Sequence, residues 1–162
     1  LPGVSRLDDL RRVEQAISRI TRISSGRVAA RHRSERSGVM LSRPAITILS
    51  NLRSSGPVRL SLLARLTDLE APLISREIRE LVEAGYVRRT ADPTDGRAGI
   101  VDLTPKGRRA YQAYRDATDE IIAETFETWS ASDLHELRNL LDRVVEDFAR
   151  GPERAMRGTR AS

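Results

Sequence analysis

The sequence has no cysteine, which rules out disulfides, thiolate metal sites and thiol-based redox switching. Histidine is almost as scarce. His32 and His135 are too far apart for a local metal motif, so no metal centre is expected. Aromatics make up 4% of the chain, which leaves the core to Leu, Ile, Val and Ala. No apolar run reaches the roughly 20 residues that span a bilayer, and the N-terminal stretch shows no signal-peptide pattern. A cytoplasmic protein with no membrane partner is the expectation. Glycine-rich phosphate loops and paired carboxylates in loops are missing too, which argues against an enzyme and against any cofactor.

Lysine is nearly absent as well. Lys106 stands alone, and the other 27 of 28 basic residues are arginines. Arginine suits bidentate contact with phosphates and guanine edges, although a coding bias toward arginine gives the same count. The net charge of +5 is unevenly spread: +5 over residues 1–39, +4 over 40–109 and −4 over 110–162. A basic middle with an acidic end fits a nucleic-acid partner without requiring one.

Residues 5–31 place Leu7, Leu10, Val13, Ile17, Ile20, Ile23 and Val28 at helical spacing, with a weak point at Gly26 and a loop at "SERSG" (34–38). Ser42 is a good N-cap for a short helix with Ile46, Leu49 and Leu52 inward, stopped by Gly56 and Pro57. "VRL" (58–60) is extended, Ser61 caps a helix carrying Leu62, Leu63 and Leu66, and "DLEAP" breaks it. The next helix, 72–84, buries Ile74, Ile78 and Leu81. "YVRRT" (86–90) and "IVDL" (100–103) read as strands around "ADPTDGRAG", and Thr104 with Pro105 opens a helix to about Thr128. Ser130 starts the last helix, whose apolar stripe runs from Leu134 to Phe148. That stripe is broad enough to need a second copy of the chain; packing within one copy is the alternative. The tail after Gly151 has no periodicity and reads as disordered.

Residues 61–84 form two short helices joined by a tight break, a helix-turn-helix pattern. Its second helix presents Ser75, Arg76 and Arg79 opposite the apolar side. Hydroxyl and guanidinium groups suit phosphate oxygens and base edges. Any two amphipathic helices in a bundle share this pattern, but the hairpin that follows narrows the choice, because a two-stranded ribbon is marginal alone. Asp95-Gly96 favours a tight reversal that leaves Arg97 at the tip, where it can enter a minor groove while Asp95 holds the guanidinium in position. A solvated hairpin with ordinary turn residues is the other reading.

Residues 92–107, "DPTDGRAGIVDLTPKG", resemble the wing of MarR-type transcriptional regulators through Asp92, Asp95, Arg97, Leu103, Thr104 and Gly107. Upstream, "ISREIRELVEAGYVRR" is similar to the family's recognition helix and following strand at Ser75, Arg76, Leu81, Gly85 and Val87. The resemblance spans roughly residues 7–149. It implies a mostly α fold with a small β-hairpin. A winged helix-turn-helix core at 40–104 would be flanked by dimerisation helices at 1–39 and 105–150, with a tail at 151–162. It further implies a homodimeric repressor on a pseudo-palindromic double-stranded DNA operator, released in many relatives by a small aromatic or phenolic acid. Ser75, Arg76 and Arg79 would meet the major groove and Arg97 the minor groove. Arg31, His32, Tyr111 and Tyr114 have the chemistry to hold an anion or a ring, but no ligand site follows from them. The chain departs from the family where Glu70, Ala71, Pro72 and Leu73 replace small polar residues. Glu70 repels phosphate and Leu73 donates no hydrogen bond, so contact with a thymine methyl is what that turn can offer. The departure also keeps open a helical interaction module whose winged lobe does not touch DNA.

Overall fold

The computed structural model describes residues 6–95 and 99–159. Among them run α1 (Arg6–Ser25), α2 (Arg27–Ser37), α3 (Arg43–Ser55), β1 (Val58–Arg59), α4 (Leu60–Thr67), α5 (Ala71–Glu83), β2 (Val87–Ala91), β3 (Gly99–Leu103), α6 (Pro105–Thr125) and α7 (Ala131–Thr159). Local chemistry sets some of these ends, whereas α4 starts at Leu60, ahead of the expected Ser61 cap, and neither α4 nor α5 has a side-chain cap. Ser42 Oγ accepts the Ala45 N–H to cap α3, with Pro44 in the first turn. Ser130 Oγ accepts the Asp133 N–H in the same way at α7.

The elements differ from the sequence reading at several points. The first long helix is two, broken at Gly26, and "SERS" belongs to α2, which ends only at Gly38 in the left-handed region. On α3 the inward side chains are Ala45, Ile48, Leu49 and Leu52, not Ile46. A helix of mixed hydrophobicity permits both registers, and packing decides between them. On α4, Leu63 and Thr67 are buried while Leu62 and Leu66 stay exposed. The ribbon gains a third member: β1 pairs with β3 (Val58↔Val101), β2 pairs with β3 (Val87↔Leu103), and both pairings are antiparallel. Helix α7 continues through the segment expected to be disordered, as far as Thr159. Glu, Arg, Ala and Met follow Pro152, and these are good helix formers even without an apolar stripe.

Compactness divides the chain into two units, one ending at Ile121 and the other starting at Ile122, so the lobe expected at 40–104 lies inside the first. The core of that first unit is one cluster. Ile48, Leu49 and Leu52 of α3 meet Leu63 of α4, Ile74, Ile78 and Leu81 of α5, and Val58, Val87, Val101 and Leu103 of the sheet. Burying a side chain of this kind is worth about 1.5–3 kcal/mol. The shared cluster therefore fixes α5 against the ribbon.

The "LTPKG" motif joins ribbon to α6 by polar ties. Thr104 Oγ1 accepts the Gly107 N–H at 3.0 Å and donates to the Gly85 carbonyl at 2.7 Å. The Thr104 N–H donates to the Tyr86 carbonyl at 3.1 Å. Gly107 backs directly onto that peptide, where an added Cβ would stand 2.0 Å from the Tyr86 oxygen. The contact is with backbone, which cannot swing aside. Gly107→Ala is expected to cost about 3 kcal/mol through overpacking, read as a lower urea midpoint. An unchanged midpoint would mean that α6 moves away from Tyr86 freely.

Candidate nucleic-acid interface

Thr67 and Asp68 end α4 so that α5 starts after three residues. The Thr67 hydroxyl donates to the Leu63 carbonyl at 2.8 Å, and Asp68 takes a left-handed conformation with φ of 51°. Aspartate tolerates that region better than most residues. Helix α5 then turns Ile74, Ile78 and Leu81 into the core and leaves Ser75, Arg76 and Arg79 exposed on one side, as the periodicity implied. Arg76 lies along its own helix, 3.5 Å from Glu77 and 3.8 Å from Glu80. The first turn, Ala71 and Pro72, is exposed and apolar, and Glu70 makes no side-chain cap bond there.

Across from α5 the ribbon carries two exposed arginines that the sequence reading did not assign. Arg88 is held by Asp102, its cross-strand partner in register. Arg89 lies over Gly99, where a Cβ would come within 2.5 Å of its Nε. The start of α4, α5 and the ribbon enclose a cleft of about 400 Å³ whose polar lining is Arg59, Ser61, Ser75 and Arg89. Arg97 lies outside the described residues, as does Gly96, so the tip reading stays an expectation. Asp95 is exposed.

A larger cleft, about 810 Å³, opens between α2, the start of α3 and α6. Arg31, Arg33 and Arg43 line it with one carboxylate, Glu35, and the Tyr114 ring. Arg33 donates to the Ser24 carbonyl at 2.7 Å and Arg43 to the Ser25 hydroxyl, which ties its walls together. Of the four side chains considered for an anion or a ring, Arg31 and Tyr114 are here. His32 is exposed on α2, and Tyr111 packs on the core with its hydroxyl 3.1 Å from Ser50.

The winged helix DNA-binding domain family matches residues 41–107. An uncharacterized HTH-type transcriptional regulator of Mycobacterium leprae is 31% identical over 123 residues, covering 75% of this chain and 84% of the relative. A solved MarR family transcription regulator is 25% identical, with a TM-score of 0.71 over 89% of this chain and 95% of its own. The chain belongs to the MarR-type winged helix-turn-helix regulators. It is a DNA-binding regulator of transcription and not an enzyme. The PcaV transcriptional regulator of Streptomyces coelicolor, 17% identical, shares the fold with a TM-score of 0.54 over 88% of this chain and 93% of its own.

In this MarR-type chain the wing base is set by Asp92, which the sequence marked as part of the wing motif without showing its partners. Asp92 is buried. Its Oδ1 accepts the Thr94 hydroxyl at 2.7 Å and the Thr94 N–H at 2.8 Å, and its Oδ2 accepts Arg59 Nε from β1. No local pattern reveals a partner 33 residues away. The Thr94 hydrogen bonds, with Arg59 adding to them, hold the Asp92 carboxyl down at about 2. A lowered folded-state value stabilises above the unfolded value and is lost as pH falls through the folded one. The stability gap between wild type and Asp92→Asn is therefore expected to be constant above about pH 5 and to close between about pH 4 and 2. Urea midpoints across that range measure it, and a gap that persists at pH 2 would contradict the assignment.

Proposed function

We propose that this regulator is a cytoplasmic homodimeric repressor that binds a pseudo-palindromic double-stranded DNA operator and leaves it when a small aromatic or phenolic acid occupies the larger cleft. Residues 1–39 and 105–150 supply the pairing surfaces in this reading. Support comes from side chains that water should not see: Leu10, Ile20 and Ile23 on α1, and Leu141, Val145 and Phe148 on α7, are all about half exposed or more. A two-fold axis sets two copies of α5 roughly 34 Å apart, one turn of duplex, in successive major grooves.

The observation that carries the DNA reading is the outward face of α5. Ser75, Arg76 and Arg79 stand exposed on one helix, with Arg89 of the ribbon across the adjoining cleft. We assign those α5 residues to the major groove, Arg97 to the minor groove and Asp95 to its support. The effector reading rests on a cleft lining with three arginines, one carboxylate and Tyr114; Arg31 pairs with Glu35 at 2.7 Å, which leaves Arg33 and Arg43 as the excess positive charge for an aromatic anion. PcaV was solved in complex with its natural ligand. One feature favours a second reading, an interaction module that does not contact DNA: Glu70 and the apolar Ala71–Pro72 turn stand exposed at the leading end of α5.

Selection of bound duplexes from a random pool at fixed salt separates the two. A consensus with two-fold symmetry is expected, whereas no enrichment of any sequence would favour the interaction module. On that consensus, Arg79→Ala should cost about 1–3 kcal/mol if it makes a bidentate base contact. An equal loss on unrelated DNA would assign Arg79 to phosphate. Arg97→Ala should weaken operator binding, and unchanged affinity would remove the wing from the interface.

A further inference from the structure

Glu77 is out of keeping with its neighbours. It sits on the inward side of α5 between Ile74 and Ile78 and is 4% exposed, yet it has no part in the DNA-facing surface. A buried carboxylate depends on its donors. One oxygen accepts the Ser42 hydroxyl at 2.7 Å, and the other is 3.5 Å from the largely exposed Arg76 guanidinium. Ser42, 35 residues earlier, is therefore the close donor.

Ser42 has a second setting. It lines the 810 Å³ cleft together with Arg43, Arg31 and Arg33. Its oxygen already accepts the Ala45 N–H at 3.0 Å, which fixes the side chain at the start of α3. A hydroxyl has a single hydrogen to donate. That hydrogen can serve Glu77 or an acceptor in the cleft, not both at once.

We propose that Ser42 is the coupling element between the cleft and α5: a carboxylate bound in the cleft accepts the Ser42 O–H hydrogen bond in place of Glu77 and leaves Glu77 without it. A leucine at position 77 would anchor α5 permanently. A carboxylate whose close donor is one hydroxyl, with only the longer Arg76 contact besides, anchors it conditionally, because removing that donor leaves buried carboxylate oxygen without its near partner. Released from Ser42, Glu77 has Arg76 as its remaining neighbour, so Arg76 is drawn toward it and away from the outward face. Ligand and DNA then oppose each other by the same factor in both directions, as linkage requires. The inference rests on the effector reading of the cleft.

The test uses the full chain, a labelled operator duplex from the selection, and salicylate as the probe. Saturating salicylate should weaken operator binding by wild type at least tenfold. In Glu77→Gln, which alters no cleft residue, salicylate should bind within about threefold of wild type while the antagonism falls below twofold. Full antagonism in that variant would overturn the coupling role and leave the effector reading intact. Failure of wild type to bind salicylate or benzoate at millimolar concentration would overturn the effector reading together with the coupling that rests on it. A ligand-free arm asks separately whether Ser42 holds Glu77. Ser42→Ala should weaken operator binding at least fivefold, Ser42→Thr should not, and adding Glu77→Met to Ser42→Ala should restore it. A double variant as weak as Ser42→Ala would mean that the lost α3 cap, not a stranded carboxylate, causes the defect, and would overturn the proposal.

Discussion

Apolar side chains on the terminal helices must leave water, and this requirement governs how the rest of the protein is used. Helix α1 has no buried residue among its twenty, although its leucines and isoleucines recur at helical spacing. On α7, Leu140, Leu141, Val145 and Phe148 are likewise exposed in the single chain. Helices with such stripes take most of their stability from tertiary burial and little from intrinsic propensity. A second copy is the covering partner we infer. The proposed assembly makes the DNA-binding surface a matter of symmetry, with one α5 assigned to each half of the site.

Within the first unit the surface depends on a division of labour. A shared apolar cluster locks α3, α4, α5 and the sheet. Polar ties then set the finer geometry: Thr104 and Gly107 seat α6 against Tyr86, Asp92 and Arg59 tie the wing base to β1, and Ser42 holds Glu77. Apolar burial is hard to reverse by a ligand, whereas a single hydrogen bond to a buried carboxylate is not. Of these polar ties, the Ser42–Glu77 bond is the one whose donor lines the larger cleft.

Much of this was legible in the sequence, for a physical reason. Helical and strand periods expose themselves over a few residues, so α5, the ribbon, its following cap at Thr104 and the last helix could all be read locally. The wing motif added the family. Pairings between distant residues leave no such trace. A two-residue strand such as β1 has no period, so its union with β3 was invisible, and with it the Arg59–Asp92 pair. Glu77 occupies an inward position that the Ile74, Ile78, Leu81 pattern passes over, and only packing shows it buried. On α3 the choice between Ile46 and Ile48 turned on which side faces α5, which the helix itself does not specify. Arg31 and Tyr114 were suspected from chemistry, but three arginines converging on one cleft is a property of the folded chain.

Pairing of two chains is the claim on which the operator symmetry depends. Light scattering on the purified protein, combined with thermal unfolding at several concentrations, tests it most directly. A particle of about 36 kDa, twice the 18.1 kDa of one chain, is expected, with an unfolding midpoint that rises as protein concentration rises. A particle of one chain's mass, with a midpoint indifferent to concentration, would contradict it.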